Sequence, residues 1–257
     1  MIAPVSLISV PGVPDIQPGD DLAQVLGDAI EASGYGLQDG DILTIAHKVF
    51  SKAEGNVIHL SDVTPSAEAQ TYAKDLNKDA RKVEVVLGQS ARVVRAFKHA
   101  HQNEGVMICE HHLGFIAANA AVDASNTDGD DTLITLPNDP DRSARAFKAA
   151  IEARFGCQIG VVMTDTFGRP WRIGQGNVAI GLADVPATTP EQGSEDAFGH
   201  VLKVTEPALA DEIAAASGLV IRKAAKTPLV LVRGLDWMAA PHAAAKDLLR
   251  SQSENVF

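Results

Sequence analysis

Cysteine is nearly missing from this 257-residue chain: the two present, Cys109 and Cys157, each sit in an apolar stretch. A disulfide framework is excluded, and two buried thiols are expected rather than a bridge. Basic residues are scarce, with 22 Lys and Arg against 33 Asp and Glu, a formal charge of −11. That balance argues against a nucleic-acid partner, because a phosphate backbone recruits basic surfaces. An anionic substrate would need a locally basic pocket. No apolar run approaches the ~20 residues of a membrane span. The first ten residues contain no Lys or Arg and their apolar run stops at Pro11-Gly12, so they read as a strand rather than an export signal, and the cytoplasm is the expected compartment. The common signatures of nucleotide and nucleophile sites are missing as well. There is no G-x-x-x-x-G-K-[ST], no G-x-G-x-x-G after a strand and no G-x-S-x-G. Any nucleotide site must be of an unusual kind.

What is there interleaves helix and strand patterns. Strands are predicted over 2–10, 42–50, 106–109, 114–118, 159–163 and 227–232. Helices are predicted over 22–32 after the Asp20-Asp21 cap, over 64–76 with Thr64 as cap and Pro65 at the first position, and over 82–99, 141–155, 206–217 and 241–251. The stretches 123–141 and 184–195 read as polar loops. No regular βαβ rhythm emerges and no segment repeats, so the class expected is α+β.

Three segments could carry chemistry. In Thr164-Asp165-Thr166-Phe167-Gly168-Arg169-Pro170-Trp171-Arg172 an apolar strand runs into an acid, a hydroxyl and a glycine turn with two arginines. Asp165 and Thr166 offer hard oxygen ligands suited to Mg²⁺ or Mn²⁺, and Arg169 and Arg172 could grip phosphate or carboxylate. The plain alternative is an Asp–Arg turn network with Trp171 packed beneath it. In the small-residue stretch 118–126, Asp123 could be a second metal carboxylate and Asn126 a hydrogen-bonding partner; an Asx-turn is the alternative. In His47-Lys48-Val49-Phe50-Ser51-Lys52, a strand would place Lys48 and Lys52 on one face, where a lysine could neutralise nucleotide phosphates; exposed edge-strand lysines are the alternative. The pairs His99/His101 and His111/His112 lack zinc-site spacing, although His112 could approach an anion.

These segments, with Val10-Pro11-Gly12-Val13-Pro14-Asp15-Ile16 and the stretches 39–55, 114–126, 164–175, 178–181, 198–212 and 228–234, resemble the F420-0:γ-glutamyl ligase family across nearly the whole chain. The resemblance implies one ligase unit over 1–257 with two structural subdomains, an unusual two-domain α+β fold, and an intertwined homodimer with the site in the groove between copies. It implies addition of L-glutamate to coenzyme F420-0 through an acyl phosphate, giving F420-1 and, where a further glutamate joins, γ-linked F420-2. GTP is the implied co-substrate, with Mg²⁺ or Mn²⁺ and, as an open alternative, a monovalent cation. It places the metal on Asp123, Asp165 and Thr166 and the nucleotide on Val13, Pro14, Asp15, Ile16, His47, Lys52 and Asn126. Departures from the family pattern are His47 where Ser or Gln is usual, His112 for Arg, Ala121 for glycine, Lys223 where an acidic ligand is expected, and a poorly matching loop at 184–195. They keep open a GTP- or ATP-dependent amide ligase for another carboxylate, a metal-dependent phosphohydrolase, and a nucleotide binder without turnover.

Overall fold

The computed structural model describes residues 4–124, 131–221 and 226–254. Asn126 and Lys223, both singled out above, lie outside the described residues, as do Asp128 and Asp130. The centre is a five-stranded sheet in the order β1 (Ser6–Ser9), β10 (Leu229–Arg233), β2 (Ile42–Ala46), β8 (Gly160–Arg169) and β9 (Arg172–Ala183). β2 and β8 run parallel and the other neighbours are antiparallel. β2, β10 and the first half of β8 are apolar and buried, as strands covered on both faces must be. Helices α1 (Leu22–Ser33), α5 (Pro140–Phe155) and α6 (Leu209–Ser217) supply Leu26, Ile30, Phe147, Ile151 and Ile213 to the same core. Asp21 caps α1, its Oδ1 accepting from the N–H groups of Ala23 and Gln24.

A second core, containing Leu76, Val83, Val86, Met107 and Cys109, lies between α3 (Ala67–Leu76), α4 (Ala80–Gly88) and an antiparallel sheet of β4 (Ser90–Phe97), β5 (Val106–His111) and β6 (Ile116–Ala118). A small ladder pairs β3 (Val57–His59) with β7 (Thr132–Ile134), and Asp123 bridges to Ile134. The mixed architecture agrees with an α+β class. Both cysteines are free, Cys109 buried and Cys157 half-buried.

Several expected elements differ, each for a physical reason. The strand predicted over 42–50 ends at Ala46, the last residue paired with β8, and α2 (His47–Ala53) follows, with Phe50 packed edge-on against Phe147 at 5.7 Å. Ser66, not Thr64, caps α3, because the Glu84 carboxylate accepts from the Ser66 N–H and fixes the entry of the chain. The helix predicted over 82–99 stops at Gly88. Ser90 Oγ donates to the Val86 carbonyl, and the following β-branched run pairs with β5, a tertiary choice that overrides local propensity. β8 continues past Met163 as far as Arg169, so the expected glycine turn is part of a long hairpin. The helix predicted over 241–251 is only a short turn at Ala245–Leu248, because the Ala245 N–H is spent on the buried carboxylate of Asp141.

Candidate functional site

A cavity of about 620 Å³ opens where the parallel pair β2 and β8 gives out at its carboxyl ends, the edge of an α/β sheet where ligands characteristically bind. Register places it there: Ala46 pairs with Thr164, so the start of α2 and the Asp165-Thr166 pair reach the same space. Asp165 and Thr166 line it, together with Asp123 from the turn after β6 and Lys52 from α2. Val13, Pro14, Asp15 and Ile16 form another wall, with the buried Val13 and Ile16 side chains anchoring the exposed Pro14 and Asp15. His47 joins them, buried beneath the floor.

The two lysines of α2 are not on a strand. They sit four residues apart on a helix, which also directs both to one side. The Arg pair is placed elsewhere: Arg169 and Arg172 are exposed at the tip of the β8–β9 hairpin and do not line the cavity, and Arg169 Nη2 donates to the Ile173 carbonyl at 2.6 Å. Trp171 is not packed beneath that turn but 86% exposed. His112 is exposed after β5, with Nε2 3.2 Å from the Gly88 carbonyl, and does not line the cavity.

Three charge contacts order the site. His47 Nε2 lies 3.3 Å from Asp165 Oδ1, a distance for ion pairing, although the ring is off the hydrogen-bonding direction. On its other side Nδ1 is 3.1 Å from Ser51 Oγ. Ser51 is fully buried, so this Ser–His pair orients the ring and cannot present a nucleophile. Lys48 Nζ is 2.6 Å from Asp123 Oδ2. Lys226 Nζ donates to both Asp15 oxygens at 2.9 and 2.8 Å and holds that carboxyl below its usual range. Burial works to raise the Asp165 pKa and nearby Asp123 adds to that, but a protonated His47 and the Thr166 N–H outweigh them and leave it lowered. Asp165 is thus an anion held ready for a cation.

Asp123, Asp165 and Thr166 suit a hard ion of the kind that keeps water and substrate oxygens in its shell. Among the described residues no three His, Cys, Asp or Glu side chains converge as a self-sufficient cage, which fits an ion completed by phosphate rather than a structural metal. Two buried polar atoms on the lining, Asn119 Oδ1 and Thr227 Oγ1, have no hydrogen-bond partner among the described residues and would reward a polar ligand. The turn bearing Asn119 is strained. Asn119, Ala120 and Ala121 take φ of 51°, 50° and 56°, a left-handed run of non-glycine residues beside the site.

A family model described as F420-0:gamma-glutamyl ligase matches residues 12–234, which hold the described walls of this cavity. The chain belongs to the F420-0:gamma-glutamyl ligase family. It is 38% identical over 255 residues, 98% of each chain, to the coenzyme F420:L-glutamate ligase of Methanothermobacter thermautotrophicus. It is 40% identical over 247 residues to the protein of the same name from Methanopyrus kandleri, covering 94% of this chain and 93% of that one. Sequence reasoning in this family member did not single out Lys226, Asn177 or Asn119, which also line the cavity. Asn177 had a usable signal, since it lies opposite Thr166 once the hairpin register is drawn. Lys226 had none.

Proposed function

We propose that this family member joins L-glutamate to coenzyme F420-0, forming F420-1 and, where a second glutamate is added, γ-linked F420-2, with GTP as phosphoryl donor. The observation that carries the reading is the meeting of Val13–Ile16, Lys52, Asp123, Asp165 and Thr166 around one cavity in a member of this family. The names of the relatives support the same substrates.

A free carboxylate is a poor electrophile, so amide formation needs activation. In the proposed path a precursor carboxylate oxygen attacks the γ-phosphorus of GTP and GDP leaves. The glutamate nitrogen then attacks the acyl carbon. The C–N bond forms, the C–O bond to phosphate breaks, inorganic phosphate departs and the nitrogen gives up a proton. Such transfers depend on positioning and charge neutralisation more than on a protein nucleophile. Mg²⁺ or Mn²⁺ on Asp123, Asp165 and Thr166 would neutralise phosphate charge. Lys52 would grip phosphate oxygens and the 13–16 segment would seat the nucleotide. A homodimer belongs to the same proposal. The hairpin tip, with Trp171 and Ile173 86% and 98% exposed, is suited to cover by a second copy, and Arg169 and Arg172 would then act from the interface.

The test is incubation with F420-0, GTP, Mn²⁺ and L-glutamate, read by mass spectrometry. The expected products are glutamylated coenzyme, GDP and phosphate. Hydroxylamine in place of glutamate should trap a hydroxamate, and oxygen-18 from the precursor carboxylate should reach the phosphate. GMP with pyrophosphate would remove the acyl-phosphate path. Phosphate release that ignores glutamate would turn the reading to a hydrolase, and an amide formed only with another carboxylate would change the substrate. A light-scattering mass of 27.0 kDa, that of one chain, would remove the dimer.

A further inference from the structure

The first two residues of α2 each engage a different acid of the candidate metal set: His47 meets Asp165 and Lys48 meets Asp123. Successive helical side chains diverge by about 100°, so one helix start can serve two separated carboxylates. Asp123 and Asp165 are close enough for their like charges to act on each other. The ionisable lining balances: Asp15, Asp123 and Asp165 stand against Lys48, Lys52 and Lys226, with His47 beside them. A divalent ion arriving alone would upset that balance and meet an ammonium already on Asp123. A triphosphate arriving alone would meet three carboxylates.

We infer that Lys48 is a resident counter-cation, holding Asp123 in the place of the divalent ion until metal and nucleotide arrive together, when its ammonium leaves Asp123 for the phosphates. The lysine stem is long and flexible enough for such a swing, and Lys52, one helical turn on, marks the side to which it would turn. This rests on the metal reading proposed above. It adds that metal and nucleotide each bind weakly without the other, and that Lys48 is the residue that couples them.

The experiment measures Mn²⁺ binding to nucleotide-free protein by electron paramagnetic resonance, and binding of a non-hydrolysable GTP analogue with Mn²⁺ present by calorimetry. The proteins are wild type, Lys48→Met, Lys48→Gln and Asp165→Asn. Both Lys48 variants should bind Mn²⁺ alone about tenfold more tightly, since a cation close to the ion has been removed, while the analogue binds more weakly. A merely structural lysine would weaken both. Unchanged or weaker Mn²⁺ binding in both Lys48 variants overturns the inference. If that happens while Asp165→Asn abolishes Mn²⁺ binding, the metal site stands and Lys48 alone loses its role. If Asp165→Asn leaves Mn²⁺ binding unchanged, the metal reading and the inference fall together.

Discussion

The hydroxyl of Thr166 donates a hydrogen bond to Oδ1 of Asn177, 3.0 Å away across the β8–β9 ladder. Because the proton is committed to the amide, the oxygen lone pairs of Thr166 are free for a cation. Asn177→Leu removes that orientation without removing the proposed ligand. Mn²⁺ affinity should fall about tenfold, the scale on which partners of metal ligands act, with the thermal midpoint little changed. A titration that matches wild type would detach Asn177 from the site.

Lys52→Ala should weaken nucleotide binding and leave folding intact. A hydrogen bond to a charged group contributes about 1.5–3 kcal/mol, and the side chain borders the cavity without being part of the core. Calorimetric titration of GTP with metal present reads the effect, and an unchanged dissociation constant would count against the role.

His111 should make stability depend on mild acid. Burial, aided by neighbouring His112, pushes its pKa from 6.5 down to about 4. The Leu113 N–H donates to Nδ1 at 3.0 Å, so that nitrogen must stay unprotonated in the fold. Between those values the unfolded chain binds a proton that the folded chain refuses, so stability rises with pH there. It should lose roughly 2–3 kcal/mol as pH falls from 6.5 towards 4. Urea midpoints across this range should fall more steeply for wild type than for His111→Leu, and parallel curves would show that another group is responsible.

Ala121→Gly should stabilise the chain. Ala121 holds φ 56°, where a Cβ is strained and glycine is not. Relief of that strain is set against the greater freedom of glycine when unfolded, leaving a net gain of up to about 1 kcal/mol. Chemical denaturation decides it, and a clear loss would mean that the buried methyl packs better than it strains.

The sequence revealed the parts whose signals are local. Asp165 follows an apolar run that could only be a buried strand, and Asp21 and Gly156 bound helices that form as expected. Misread elements were those decided at long range. Residues 90–97 are helical by composition but find β5, and 245–248 lose their helix to Asp141, about a hundred positions away. The site divides in the same way. His47, Lys52, Asp123, Asp165 and Thr166 sit in motifs and meet in the fold. Lys226 reaches Asp15 across 211 positions of chain, a contact that no spacing or motif could announce.

The pairing of Ala46 with Thr164 acts as a ruler. Core strands tolerate exchange of one aliphatic residue for another of similar size. They do not tolerate a change in count, since a slip of one residue turns every side chain to the opposite face. Deleting a single residue from 42–46 or 160–164 would carry His47 and Lys48 out of step with Asp165 and Asp123, even where the remaining strand stayed apolar enough to pack. In these two segments length should therefore be guarded more strictly than identity.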